Sequence, residues 1–358
     1  MKVLHLIPSL GSGGAERQLS IVAPALAKAG IEIHVGYCYD GPNIQNLIDS
    51  SVHLHKFSIT GNHDVKLFYQ LWSLVHHVKP DIIHTWILQM DIVGGVVARL
   101  AGVPFIVSER SSQMNYPDGW KTRLRVLIGK MAMCVIANSR GGVEYWQNRS
   151  KNLNIRMVRN CITGRDGNEQ GTLARVSESG SPFILFAGRL SHEKNIFVMI
   201  EAMIEALKKV PGAEAHIFGE GGLKTSLLDR VSESGLSKRI HVHGYTADLA
   251  NWMAEADVLV STSWFEGNPN AVLEAAASGC PLVISDIPAH REIFDNESAT
   301  FAEPDSPDEF TRAIQFLLRN KSVAKMKAVH AKKLMQGYGM SNVIESYLDI
   351  YEKILARN

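Results

Sequence analysis

The chain has 358 residues, about twice an ordinary domain length, with 46% hydrophobic and 20% charged residues and no low-complexity tract, so two folded domains are expected and a disordered polymer is excluded. Its four cysteines, Cys38, Cys134, Cys161 and Cys280, form no C-x-x-C pair, which argues against a disulfide framework or zinc knuckle. A reduced cytosolic setting is expected, since no apolar run reaches the ~18 residues of a membrane span and the first apolar run is too brief for a secretory signal. The formal net charge is +1, but residues 1–165 carry 18 Lys+Arg against 10 Asp+Glu (+8) and the remainder 19 against 26 (−7); one half is suited to an anionic surface, and no aromatic-basic motif makes that surface a nucleic acid.

In chain order, "KVLHLI" predicts a strand, "ERQLSIVAPALAKAG" a helix with Leu19, Val22, Ala23 and Leu26 on one face and a stop at Gly30, and "IEIHVGYCY" a second strand. Between the first two lies "PSLGSGG", where Gly11, Gly13 and Gly14 let backbone N–H groups crowd round an anion at a helix N-terminus; a plain strand-to-helix turn would need glycine as well. The spacing is neither G-x-G-x-x-G nor a Walker loop. His53 and His55 put two imidazoles on one face of a strand, as do His241 and His243 further on. Each is a metal pair lacking a third ligand at suitable spacing, so satisfied strand histidines and no metal site are expected.

Strands recur at "PDIIHTW", "VPFIVSE", "MCVIANS" and "NIRMVRN". "GWKTRLRVLIGKMAM" sets Lys121, Arg123, Arg125 and Lys130 around Leu124, Val126, Leu127, Ile128 and Met131, which fits a basic helix on anionic lipid or an internal helix with a basic rim. Residues 163–181 are Gly-, Ser- and charge-rich and are expected to form a linker. A second alternating series follows, "PFILFAGRL", "AEAHIFGEG", "RIHVHGY", "ADVLVST" and "PLVISD". Alternating β and α units predict an α/β fold with two doubly wound parallel sheets and ligand sites at the carboxyl ends of the strands. The final helical pattern carries Val343, Ile344, Tyr347, Leu348, Tyr351, Ile354 and Leu355 on an apolar stripe, with Ser341 as the expected N-cap.

With the glycine turn at 11–14, two further stretches carry chemistry. Arg189 and Lys194 leave a strand in "FAGRLSHEKN" and suit a diphosphate, although a solvated basic loop reads the same way. In "SWFEGNPNAVLEAAASG", Glu266 precedes a short helix ending at Gly279 and Glu274 lies on its second turn. The Asn268-Pro269-Asn270 turn opens the helix N-terminus, and the two carboxylates suit sugar and ribose hydroxyls rather than phosphate.

Together these stretches point to a nucleotide sugar, and here the sequence resembles the GT-B-fold retaining glycosyltransferases of family 4, also called glycosyl transferases group 1. "SLGSGGAERQ", "DIIHTW", "ANSRGGVEYW", "FAGRLSHEKN", "IFGEGG", "HVHGY" and the E-x7-E segment from Ser263 to Asp286 run in family order along nearly the whole chain. The resemblance implies two Rossmann-like domains facing across a cleft. The first, 1–165, is on the acceptor side and takes back a C-terminal helix at 341–358; a linker at 166–181 leads to the donor domain at 182–340. It makes Arg189 and Lys194 the diphosphate pair, Glu274 the ribose ligand, and Glu266, with Gly267, Asn268, Pro269 and Asn270, the donor-sugar side. Gly13 and Gly14 become the loop that closes on the phosphates, Gly219, Glu220 and Gly244 loops around the base, and His84 and Arg110 residues of the acceptor or sugar side. Two positions depart from the family: "VSERSS" has Glu109 and Arg110 where a histidine is common, and Asn160-Cys161 replaces Asn-Gly. Arg110 suits an acidic substrate, or pairs with Glu109 or another carboxylate and positions the loop.

The expected activity is transfer of a sugar from a nucleoside diphosphate donor, UDP-linked, to a hydroxyl of a glycan or lipid-linked acceptor in bacterial envelope synthesis, with retention. No cofactor or metal is needed, since no D-x-D clamp occurs. The setting is cytoplasmic, with peripheral contact to anionic membrane through 120–131. A sugar-nucleotide 2-epimerase of the same fold and a non-catalytic nucleotide-sugar-binding subunit are the alternatives.

Overall fold

The computed structural model describes residues 1–61, 64–110, 119–162, 181–246 and 248–357; apart from residue 181, the expected linker lies outside them. The chain divides into two compact units, one of Met1–Cys161 with Tyr338–Asn358 and one of Ile162–Gly337. The first holds β1 (Lys2–Leu6), β2 (Glu32–Tyr37), β3 (His53–Lys56), β4 (Ile82–Trp86), β5 (Phe105–Glu109), β6 (Cys134–Ala137) and β7 (Ile155–Met157) in the order β3-β2-β1-β4-β5-β6-β7. The second holds β8 (Phe183–Ala187), β9 (Glu214–Phe218), β10 (Ile240–His243), β11 (Val258–Ser261), β12 (Leu282–Ser285) and β13 (Thr300–Ala302) in the order β10-β9-β8-β11-β12-β13. Every strand pair is parallel.

Both sheets are doubly wound and Rossmann-like. Counted within its unit, each runs 3-2-1-4-5-6, with β7 added at one edge of the first. The order reverses between β1 and β4 and between β8 and β11, and at such switch points the loops leaving the carboxyl ends of the strands splay apart and admit ligands. The inner strands are buried over their whole length because helices cover both faces, which is why "FIVSE", "FILFA" and "VLVS" read as continuous runs rather than alternations. In β1, Val3 joins the core under helix Gly14–Lys28, whereas Leu4 and Leu6 join the core on the other face, as the two-residue pleat requires.

The C-terminal helix, Met340–Leu355, belongs to the first unit and buries Val343, Ile344, Tyr347, Ile350, Tyr351 and Ile354 in the same core as helix Gly14–Lys28. Its N-cap is Gly339, not Ser341. The helix begins early because Met340 already packs, its sulfur 3.5 Å from Cys161 Sγ.

The basic helix expected at 120–131 spans Trp120–Gly129, and one of its four cations is not on its surface. Arg125 is fully buried: its Nε donates to Asp91 and its Nη1 to Glu109, each at 2.7 Å. Trp146 Nε1 also donates to Glu109, at 3.0 Å. Glu109 is therefore the partner of Arg125 and not of Arg110. Two buried carboxylates share one guanidinium, and burial pushes the Asp91 carboxyl up to about 6 despite that partner. Among the described residues no helix is long and apolar enough to cross a membrane.

Candidate active site

At the β8/β11 switch point the two loops are tied together by one side-chain and one backbone hydrogen bond. Thr262 Oγ1 lies 2.9 Å from the carbonyl of Lys194, and Trp264 N donates to the carbonyl of Glu193 at 3.0 Å. The loop after β8 makes a short 3-10 turn, His192–Lys194, and enters helix Ile196–Lys209 through Asn195. Asn195 has φ +50°, a left-handed conformation that asparagine tolerates better than most residues, and its amide donates to Pro304 O at 2.7 Å. That turn brings Lys194 to Glu266: Nζ donates to Oε1 at 2.5 Å.

Glu266 is held from a second side. Ser263 Oγ donates to the same Oε1 at 2.7 Å, so among the described residues Oε2 remains open to an incoming hydroxyl. Burial alone would raise the Glu266 pKa, but the charge and hydrogen bond of Lys194 and the bond from Ser263 outweigh it and hold the carboxyl below its ordinary value. Glu266 is thus ionised at neutral pH. Behind it, Ser285 Oγ donates to Ser263 O at 2.6 Å, and His290, fully buried, lies 2.8 Å from Ser285 O through Nδ1. Burial keeps His290 below its usual range, and among the described residues no hydrogen bond reaches its Nε2.

Arg189 stands apart from this cluster. Its side chain is 63% exposed and lies 3.7 Å from Glu193. Gly267 to Pro269 lead into helix Asn270–Ser278, whose N-cap, Pro269, gives no side-chain cap; Glu274 is on the second turn, and Gly279 ends the helix at φ +81°. Gly219 lies where the loop after β9 crosses the loop after β8: a Cβ there would sit 1.9 Å from the carbonyl oxygen of Gly188. Leu190 N bonds Glu220 O beside it at 2.9 Å, Lys224 takes the Glu220 carboxylate at 2.7 Å, and Gly244 passes close to that carboxylate.

In the first unit, Gly13 is the N-cap of helix Gly14–Lys28, and the carboxylate of Glu16 folds back over it, also accepting from Ser9 Oγ at 3.1 Å. The anion at that helix end is the chain's own. His84 is fully buried on β4 with Nδ1 2.8 Å from Tyr351 Oη and Nε2 2.7 Å from Ser108 Oγ; burial, with His5 and Arg110 nearby, holds it well below its ordinary pKa and therefore neutral. Arg110 donates to Asn160 Oδ1 at 3.2 Å and to the hydroxyl of Tyr347, and lies 4.3 Å above the Trp86 ring. Both residues therefore bind the terminal helix to the sheet.

The family described as "Glycosyltransferase Family 4" matches residues 12–163, and "Glycosyl transferases group 1" matches residues 181–320, so that together they span most of both units. The chain belongs to the family 4, group 1 glycosyltransferases. It is 24% identical over 310 residues to the Escherichia coli UDP-Gal:alpha-D-GlcNAc-diphosphoundecaprenol alpha-1,3-galactosyltransferase, covering 80% of this chain and 79% of that one. It is 22% identical over 364 residues to the Rhizobium meliloti lipopolysaccharide core biosynthesis glycosyltransferase LpsE, covering 98% of each. In fold it is similar to the crystal structure of Anabaena HepE in complex with UDP and glucose, with a TM-score of 0.84 and 19% identity over 99% of this chain and 100% of that one.

For a glycosyltransferase of this family, the E-x7-E segment and the Arg189–Lys194 loop carry the recognisable spacing. The residues that hold Glu266 in place do not. Ser263 and Ser285 both stand in the segment from Ser263 to Asp286, where nothing in the spacing marks them, and Thr262, Asn195 and His290 join this cluster only through the folded sheet. The asparagine after Lys194 was the one available signal, since an Asn just before a helix is suited to a left-handed turn.

Proposed function

We propose that this glycosyltransferase moves a sugar from a UDP-linked donor to a hydroxyl of a lipid-linked saccharide, with retention at the anomeric carbon. The observation that carries the reading is the Lys194–Glu266–Ser263 constellation at the β8/β11 switch point: an ionised carboxylate held on one oxygen, beside a cation and the N-terminal end of helix Asn270–Ser278. Cleaving the donor's anomeric C–O bond leaves negative charge on the diphosphate. Lys194, Arg189 and the positive end of the helix dipole supply positive potential for it without a metal. In this account Glu266 Oε2 accepts from a donor-sugar hydroxyl, Glu274 accepts from the ribose, and the loops at Gly219, Glu220 and Gly244 border the base. Retention follows if the acceptor hydroxyl attacks from the face the diphosphate leaves, with a donor phosphate oxygen taking its proton.

The names of the relatives support a UDP-sugar donor and an undecaprenyl diphosphate or lipopolysaccharide acceptor. Such acceptors sit in membranes, and the surface of helix Trp120–Gly129 is suited to meet one at the cytoplasmic face. Trp120 and Leu127 are exposed there beside Arg123 and Lys130, while Arg125 takes no part. Calorimetry with UDP separates the roles of the two glutamates. Glu274→Gln should weaken UDP binding by about 1.5–3 kcal/mol, and Glu266→Gln should leave it nearly unchanged while reducing affinity for the intact sugar nucleotide. Equal losses of UDP affinity in both variants would contradict this division.

A further inference from the structure

We propose that Glu214, His216 and His241 form a binding site for a divalent transition metal such as Zn2+, separate from the Lys194–Glu266 site. Glu214 and His216 are two apart on β9 and so share a face, and the parallel register sets His241 of β10 opposite His216. This is why His241-x-His243 alone lacked a third ligand: the missing ligands come from the neighbouring strand. One ligand atom from each of the three residues lies within 4.8 Å of the other two. Glu214 Oε2 is 3.5 Å from His216 Nε2 and 3.7 Å from His241 Nε2. These separations are long for hydrogen bonds, but they match the roughly 3.4 Å between ligand atoms of a tetrahedral ion with bonds of about 2.0–2.1 Å.

Further features fit a ligand site. His216 is buried, and among the described residues its Nε2 makes no hydrogen bond of ordinary geometry. Its other ring nitrogen is 3.0 Å from His243 Nε2, the kind of outer contact that fixes the orientation of a ligating imidazole. Trp252 and Phe183 pack against the His216 ring and give the site an apolar wall. Glu214 and His241 are partly exposed and give an ion access.

The first unit contains an internal reference. Glu32 and His34 on β2, with His53 and His55 on β3, repeat the same residues in the same register. There, however, the cluster is already closed. His34 Nε2 is hydrogen-bonded to Glu32 at 3.0 Å, against 3.5 Å for the equivalent pair on β9, and Lys2 lies 3.1 Å from Glu32, occupying it with a protein cation. Tight binding is therefore assigned to β9–β10 and not to β2–β3.

The test is equilibrium dialysis of the chelator-treated full-length chain against Zn2+ at pH 7.5, with circular dichroism to verify folding. One tight equivalent is expected. His241→Ala and Glu214→Gln should each weaken it by about tenfold or more, His53→Ala should not, and Zn2+ should raise the Tm of the wild type but not of His241→Ala. No saturable binding, binding unchanged in both β9–β10 variants, or a loss confined to His53→Ala would overturn the assignment.

Discussion

Arg125 shows at the residue scale what spacing alone conceals. On a helical wheel it is one more cation beside Lys121 and Arg123, because a basic face and a buried ion cluster share the same local pattern; only the arrival of Asp91 and Glu109 from other elements distinguishes them. Arg125→Met should destabilise the chain by about 3–5 kcal/mol in urea unfolding, since two carboxylates would be left buried without their cation. Asp91 gives the cluster a pH signature. Its folded pKa of about 6 lies above the ordinary carboxyl value, so between pH 6 and about 4 the folded chain binds a proton that the unfolded chain does not, and this contribution to stability grows as the pH falls. The stability of wild type relative to Asp91→Asn should therefore rise by about 1 kcal/mol from pH 7 to pH 5, read from urea midpoints. A difference that stays flat, or falls, would remove Asp91 from the account. Glu266 and Glu274, by contrast, were legible as a pair, because a strand, an Asn-Pro-Asn turn and a short helix ending in glycine fix where each stands.

At the scale of elements, the loops after β8 and β9 are built as one piece. Leu190 bonds Glu220 through the backbone, and Gly219 admits the Gly188 carbonyl where no Cβ would fit. Gly219→Ala is expected to cost about 1–3 kcal/mol by overpacking and to weaken nucleotide binding with it, as measured by unfolding and calorimetry on the same preparation. Loss of stability with unchanged nucleotide affinity would separate that loop from the donor site. The terminal helix was readable from its stripe, including Tyr347 and Tyr351, yet its start was not, because the packing of Met340 on Cys161 is a contact between distant parts of the chain. Tyr351→Phe removes the hydroxyl that meets buried His84 and should cost about 1–3 kcal/mol. The three-residue β13 was missed for a different reason: it is too short to display a period.

For the whole molecule, the alternation of strands and helices predicted two doubly wound sheets, and both have the strand order that places a switch point after the first and fourth strands. This is why loops some seventy residues apart, those of Lys194 and Glu266, end side by side. The absence of any D-x-D in the sequence, together with Lys194 and Arg189, leads to a further expectation: transfer in the presence of chelator should stay within about two-fold of that with magnesium, even if zinc is stripped from β9–β10. The most direct measurement of the central claim is transfer of radiolabel from a panel of UDP-sugars to undecaprenyl-diphosphate-linked saccharides, comparing wild type with Lys194→Ala. The wild type should label a lipid-linked product from at least one donor, and Lys194→Ala, still folded, should do so about 10²-fold more slowly or worse. Equal turnover by the two proteins, or release of an epimerised nucleotide sugar with no labelled acceptor, would contradict it.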